Sequence, residues 1–273
     1  MSTLEVAKKD FLDVRRAKMI WFVGGLYAFF LALLFFVGQN NVPNPDVKNT
    51  LWNLTGTGAM IIPLIALVSA YLAIAGERES GSVKFLLSIP NSRRDVVLGK
   101  YLTRTTIVTV SILGSFLIGA VLSLLWYPTF EATFFVGIAA LTVLYALTYV
   151  AVAIGISAAT SSRSRAMGGA IGFFFVTNVL NLLGPLRLAI EYLFNDLAGL
   201  DIAANQIRFV QSLISPTVAY VNSTGLVFPD GFRSVPPDIP WFLEGEVMVV
   251  IQLVWLVVPI ALGLWTFERA GLG

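Results

Sequence analysis

GERESGSVKFLLSIPNSRRDVVLGKY, residues 76–101, is the longest charged stretch between two hydrophobic runs of this chain. It carries Arg78, Lys84, Arg93, Arg94 and Lys100, with Glu77, Glu79 and Asp95 among them. A charge at the centre of a bilayer costs about 2.5–3.5 kcal/mol on insertion scales, so the stretch is a loop between spans. Its basic excess places it on the cytoplasmic side. Ser80-Gly81 breaks the chain just after the triplet Glu77-Arg78-Glu79. Val83, Leu86 and Leu87 recur at helical spacing and predict a short amphipathic helix, which Pro90-Asn91 stops. Ser92 and Asp95 have the spacing of a capping box that opens the next helix. Periodicity alone leaves a second reading open, a solvated connector with one amphipathic turn.

The rest of the chain explains why such a loop stands out. Of 273 residues, 57% are hydrophobic and only 12% charged, with a mean hydropathy of +0.82. Soluble domains are about 25% charged, so this is an integral membrane protein. It has no cysteine and no histidine, which excludes disulfides, thiolate or imidazole metal ligands and histidine-based catalysis. The first apolar run begins only after Lys18, is too long for a signal-peptide core and lacks a small-residue cleavage pattern; it is expected to be retained.

Residues 1–18 form a basic amphipathic segment. Leu4, Ala7, Phe11 and Val14 share one helical face, and Ser2 with Glu5 has capping-box spacing. Such a helix lies in the membrane interface, or merely supplies the positive-inside signal. The first span is Met19 to Val37. Gln39 to Thr57 reads as a polar loop, and the second span as Gly58 to Ala75 with a kink at Pro63. The third runs from Tyr101 to Leu125. The fourth, Thr133 to Ala158, is rich in Ala and Gly, as packing faces in lipid tend to be. The fifth is Met167 to Leu186. Residues 187–240 form a polar-to-amphipathic extracellular segment. Leu186, Ile190, Leu193, Phe194 and Leu197 line one helical face there. Phe209, Val210, Leu213 and Ile214 predict a second helix that stops at Pro216. Both are too short or too charged to span, and read as surface or partly re-entrant helices. The sixth span is Trp241 to Phe267, with Trp241 and Trp265 as interface anchors. The fold class is therefore an all-α membrane protein: one transmembrane domain, residues 1–273, of six helices with an N-terminal interfacial helix.

With the N-terminus inside, fourteen of the 18 Lys and Arg residues fall in cytoplasmic segments. Only Lys48, Arg187, Arg208 and Arg233 fall outside. The positive-inside rule then places both termini in the cytoplasm of a multi-pass protein of the cell membrane.

No Asp, Glu, Lys or Arg sits near the middle of a span, which argues against a proton-driven transporter or a pump working alone. Asn178, Asn181 and Gln252 are the strong polar groups within spans and read as interhelical hydrogen-bonding residues. Gly99-Lys100 is not a P-loop, because Arg94 stands where the first glycine is required. No nucleophile elbow or zinc-protease motif occurs. Arg93-Arg94 reads as a topology signal beside a span, and nucleic acid is not expected as a partner. Asn53-Leu54-Thr55 and Asn222-Ser223-Thr224 match the glycosylation acceptor pattern.

Several stretches together resemble a known family. They are Pro63-Leu64-Ile65-Ala66-Leu67, Gly76-Glu77-Arg78-Glu79-Ser80-Gly81-Ser82, Leu86-Leu87-Ser88-Ile89-Pro90-Asn91-Ser92-Arg93-Arg94, Leu98-Gly99-Lys100-Tyr101 and Ser215-Pro216-Thr217 to Gly225. The chain is similar to the permease subunits of ABC-2 type transporters, in particular to their NosY-like branch, over most of its length. The resemblance implies that residues 76–100 are a coupling loop whose helix docks into a separate ATPase subunit. It implies ATPase contacts at Glu77, Arg78, Glu79, Ser80, Gly81, Ser82, Lys84, Phe85 and Leu87, with Gly81 permitting the turn. Glu77 and Glu79 are taken as exposed charges. ATP and magnesium would bind the partner ATPase, and this chain would carry no cofactor. Six spans are half of the usual pathway in this family, so a second permease, alike or similar, would pair with it.

Two functions of different class follow: the membrane subunit of an ATP-driven exporter, and an assembly or sensor subunit whose ATPase drives conformational work on an extracellular partner. A membrane enzyme finds no acid–base or nucleophile constellation here. The scattered methionines and absent Cys and His give no direct metal-handling set. The topology is testable in this cysteine-free chain. Lys48→Cys and Arg233→Cys should label from outside intact cells, and Ser92→Cys and Ser164→Cys only after permeabilisation. Outside labelling of Ser92→Cys would overturn the topology.

Overall fold

Inside a bilayer every backbone N–H and C=O must be satisfied within the protein, and helices do this segment by segment. The computed structural model describes residues 3–16, 18–40, 44–83, 92–228 and 239–271. Their helices are α1 (Thr3–Arg16), α2 (Met19–Asn40), α3 (Val47–Ala70), α4 (Ala75–Glu79), α5 (Arg93–Trp126), α6 (Ala132–Ala159) and α7 (Arg163–Leu183). They continue with α8 (Pro185–Glu191), α9 (Ala204–Ile214), α10 (Pro216–Ser223) and α11 (Gly245–Arg269). Among the described residues six helices are long and apolar enough to cross a membrane: α2, α3 with α4, α5, α6, α7 and α11. The all-α class with six membrane-spanning helices expected from the sequence is the one observed.

Boundaries differ where polar residues had read as loop. The second span begins at Val47, not Gly58. Asp46 caps it, its carboxylate accepting from Lys48 N at 2.9 Å. Asn49, Asn53 and Thr57, which resembled loop residues, lie at helical spacing and form the exposed face of α3. The expected capping box at α5 is present: Asp95 N donates to Ser92 Oγ at 3.1 Å, and Ser92 N to Asp95 Oδ2 at 3.0 Å. The fifth span ends at Gly184, whose φ of 95° favours glycine, before Pro185 opens α8. In the segment after the fifth span Leu186 and Ile190 are buried, but Leu193 and Leu197 are exposed. A π turn at Tyr192–Leu197 adds a residue to the helical repeat and rotates the expected stripe out of register.

Helix α6 is the centre of the bundle, packed by α3, α5, α7, α10 and α11. Its buried residues include small ones, Ala146, Ala151, Ala153, Gly155 and Ala158, where neighbouring backbones can come close. The closest approach is at α11. A Cβ on Gly155 would stand 2.3 Å from the Pro259 carbonyl oxygen, and one on Gly263 would stand 2.6 Å from Gly155 Cα. Backbone cannot yield there as a side chain could. Gly155→Ala should therefore lower the thermal midpoint of detergent-purified protein by an amount equivalent to about 1–3 kcal/mol, the usual cost of overpacking. Gly114→Ala, where an added Cβ meets nothing within 4 Å, should not. Equal midpoints for the two variants would contradict the close α6–α11 crossing.

Candidate coupling site at the charged loop

Where α3 ends at Ala70, the chain makes irregular turns through Ile74 before α4 resumes. The backbone N–H groups of Ile74 and Ala75 both donate to one acceptor, Ser157 Oγ on α6, at 2.9 and 3.0 Å. The break is thus satisfied by a neighbouring helix, as buried backbone requires. The charged triplet follows directly.

Each member of that triplet reaches a different span. Glu77 Oε1 accepts from Lys100 Nζ on α5 at 2.8 Å. Arg78 Nη1 donates to the carbonyls of Ala158 and Thr160 at 2.9 Å each, closing the C-terminus of α6. A cation there also suits the negative end of the helix dipole. Glu79 Oε2 accepts from Arg163 N at 2.6 Å, at the N-terminus of α7, where the dipole favours an anion. Glu79 is exposed, as expected, but Glu77 is half-buried and turned inward. Burial follows from its partner: Lys100 is only 4% exposed.

Lys100 has a second carboxylate. Asp10 Oδ1 on α1 accepts from its Nζ at 3.0 Å and from Arg104 Nη2 at 3.4 Å. This fixes the face that α1 buries, which is Val6, Ala7, Asp10 and Val14. The sequence had put Leu4 and Phe11 on that face with Ala7 and Val14. Leu4 is instead 69% exposed and Phe11 faces outward, because Asp10 must meet Lys100. Gly99 lets α1 lie close: a Cβ there would come within 2.8 Å of Val6 and 2.9 Å of the Thr3 carbonyl. Thr103 Oγ1 donates to Ala7 O at 2.9 Å and Thr3 Oγ1 to Asp95 Oδ1 at 2.7 Å, pinning both ends of the contact.

The far side of the site is the end of α11. The buried ring of Phe267 lies under two guanidiniums, Arg78 and Arg93, each 5.3 Å from its centroid. Arg93 also donates to the Phe267, Glu268 and Ala270 carbonyls, the last at 2.7 Å. Arg94 pairs with Glu268 at 2.7 Å.

Of the residues expected at the site, Glu77, Arg78, Glu79, Ser80, Gly81 and Ser82 are brought together here. Gly81 has φ 75°, the left-handed turn expected of it. Ser80 and Ser82 hydroxyls meet at 2.9 Å and both reach the Glu77 carbonyl. Lys84, Phe85 and Leu87, and with them the helix expected to Leu87 and its stop at Pro90, lie outside the described residues, as does Ser2. Ser157, Phe267 and Asp10 were missed. Only Asp10 gave a signal, as an acid inside a basic amphipathic helix.

A second polar centre sits deeper, around the middle of α6. Pro63 has no N–H, which leaves the Ala59 carbonyl of α3 without its helical partner; Tyr145 OH donates to it at 2.7 Å. Tyr145 and Tyr149 share Thr217 Oγ1 of α10 at 2.8 and 2.7 Å. Thr217 donates to Asn178 Oδ1 at 2.6 Å, and Asn178 Nδ2 to Tyr149 OH at 2.9 Å. The Tyr145 and Tyr220 rings stack at 4.1 Å. Helix α10 is thus buried beside α3, α6 and α11. Asn222 on it is buried against Ser212, which removes it as a glycan acceptor. Asn181 and Gln252 also bond between elements, to Gln211 at 3.1 Å and Ser223 at 3.2 Å.

Residues 4–272 match the family described as ABC-2 family transporter protein. A "Probable ABC transporter permease protein NosY" of Pseudomonas aeruginosa is 28% identical over 272 residues, covering 95% of this chain and 92% of that protein. The protein of the same name from Stutzerimonas stutzeri is 25% identical, covering 97% of each.

The ion cluster sets a mutational expectation. Lys100→Met leaves Glu77 without its cation and Asp10 with only the longer contact to Arg104, which should cost about 3–5 kcal/mol. Glu79→Gln removes one exposed contact at a helix start and should cost about 0.3–1 kcal/mol. Thermal midpoints and the fraction of monodisperse protein after extraction separate the two. A Lys100→Met midpoint equal to wild type would contradict the buried pairing.

Proposed function

Because the chain belongs to the ABC-2 transporter family, we propose that this multi-pass membrane protein is the permease subunit of an ATP-driven exporter. Hydrolysis takes place on a separate ATPase that holds the ATP and magnesium, and the permease contributes no cofactor. The observation that carries the reading is the triplet Glu77-Arg78-Glu79, which joins α5, α6 and α7 at one face. A partner gripping that face would hold the ends of three spans at once. The ATPase docks on residues 76–100, with α1 lying in the membrane interface beside it. Both termini are cytoplasmic.

Transport is favoured over conformational work alone by the outer half of α3. Its exposed face carries Asn49, Asn53, Gly56 and Thr57, a surface ill-suited to lipid tails. The exposed faces of α2 and α11, by contrast, present Phe29, Leu33 and Phe36, and Val250, Val254 and Val257. Two permeases pairing across α3 would enclose the polar face as a path. Helix α7, beside α3, offers Gly168 and Gly172 on an exposed face where an added Cβ meets nothing, a spacing suited to close helix contact.

The test is co-purification with a co-expressed ABC ATPase. Wild type should yield a complex whose mass fits two permeases and two ATPases. Glu79→Ala combined with Gly81→Pro, which denies the turn its positive φ, should insert into the membrane near normally. It should retain less ATPase and uncouple hydrolysis from transport, since a truncated docking charge costs roughly 2–5 kcal/mol of binding. Undiminished association and activity would make the loop a solvated connector.

A further inference from the structure

The first half of α3 carries a cleft of about 460 Å³ on its exposed face. Trp52, Asn53, Gly56 and Thr57 line it from α3, with Leu34 of α2 and Val221 of α10 beside them, and none of its lining residues is ionisable. Thr57 lies ten residues beyond Val47, where α3 begins. At 1.5 Å per residue the cleft therefore reaches about 15 Å along the span, roughly half of a hydrocarbon core of about 30 Å. Beyond Thr57 the exposed residues of α3 are Leu64 and Val68, so the polar stretch stops there.

The charges near the start of α3 are engaged elsewhere. Lys48 pairs with Glu131 at 2.8 Å and stands over the Phe134 ring, and Asp46 caps the helix. Asn53 and Thr57 differ: neither side chain has a hydrogen-bond partner among the described residues, whereas Thr55 between them donates to the Leu51 carbonyl at 3.1 Å. An amide and a hydroxyl donate and accept without carrying charge. They can take the place of water around a neutral polar group. An ion brought to that depth needs a countercharge, and the cleft lining has none. A metal ion likewise finds no thiolate, thioether, imidazole or carboxylate among the lining residues.

Gly56 supplies the room. A Cβ there would meet nothing within 4 Å, so packing does not require glycine at a position where it lowers helix stability. Its missing side chain leaves the cleft open one turn from Trp52, whose ring is held edge-on by Phe228 at 5.3 Å. We propose that this cleft admits an uncharged organic solute bearing hydrogen-bonding groups and rejects metal ions and organic ions, with Asn53 and Thr57 as the residues that select it. This is the substrate class of the path along α3, and it rests on the transport reading above.

Trp52 reports occupancy. In the full-length chain in lipid nanodiscs, with the other five of its six tryptophans replaced by Phe, its fluorescence is titrated with p-nitrophenyl glucoside, p-nitrobenzoate and p-nitrobenzylammonium, whose shared nitroaromatic ring quenches indole. The glucoside should quench saturably and the two ions only linearly, by collision. Asn53→Leu combined with Thr57→Val should weaken glucoside binding by about tenfold, the scale of two lost neutral hydrogen bonds. Gly56→Leu should abolish saturation at an unchanged thermal midpoint. The unmodified chain guards against a poorly folded single-tryptophan variant, since of the three probes only the glucoside should raise its midpoint. Linear quenching by all three probes, saturation by either ion at the glucoside's concentration, or glucoside binding that survives in both Gly56→Leu and the double variant would overturn the inference. With a co-expressed ABC ATPase, the glucoside should stimulate hydrolysis in wild type and not in Gly56→Leu. Selective, saturable binding without that stimulation would sink the transport reading alone. Stimulation by the ions as well as by the glucoside would sink the selectivity alone.

Discussion

The ammonium of Lys100 is buried at one end of the bundle, and that end of the structure is arranged to keep it paired. Taking such an ion out of water costs several kcal/mol even after relaxation, and it is recovered only by partners of good geometry. Here the partners come from two elements that are otherwise independent. Asp10 arrives on α1, and Glu77 arrives from the loop after α3. Neither α1 nor the loop could roll or slide without exposing an unpaired charge. This explains why α1 turns Leu4 and Phe11 outward, against its own amphipathic pattern. It also explains the bare backbone at Gly99, which brings Val6 close enough to seat Asp10 beside its lysine.

The middle of the bundle meets the same requirement without charge. Pro63 and the π turn at Phe175–Val179 each displace carbonyls from the regular helical ladder. Tyr145 answers the first at Ala59, and Ser215 answers within the second, its hydroxyl donating to Thr177 O at 2.6 Å. Helix α10 is held by both repairs, since Ser215 caps it and Thr217 joins the tyrosines. A short helix with a proline at its first position is thereby kept among spans. Neutral hydroxyls serve at this depth because each can donate and accept at once, so the network closes without an ion.

Bilayer thickness and charge asymmetry are strong constraints, and they made the six spans legible. The capping box at Ser92 was legible because it is local. Features that depend on a distant partner were not. Asn49, Asn53 and Thr57 read as loop because composition hid their helical spacing. Glu77 read as exposed because Lys100 lies on another helix, beyond the loop. Tyr145, Tyr149 and Thr217 looked like ordinary packing residues in apolar or mixed sequence. Their role appears only once α10 folds back against α6. The central triplet was conspicuous by charge alone. Charge could not say that each of its side chains reaches a different span.

That orientation bears on how a force at the loop would travel. A connector that merely continued α3 would pass motion along one helix. Instead, the chain breaks at Tyr71–Ile74, and Ser157 of α6 takes over the freed backbone donors. Beyond the break, Arg78 and Glu79 hold the facing ends of α6 and α7, and Glu77 holds α5. Arg78 and Arg93 then share the Phe267 ring, which adds α11. A displacement of α4 would therefore carry the ends of α5, α6, α7 and α11 together, because moving any one alone would break a buried or charge-assisted contact. Helix α3, packed along α6 over its length, is interrupted before that group by the irregular turn at Tyr71–Ile74. It is also the helix with a polar outer face. If the loop docks an ATPase as proposed, the ends of those four helices would move together past the exposed Asn49, Asn53 and Thr57 of α3.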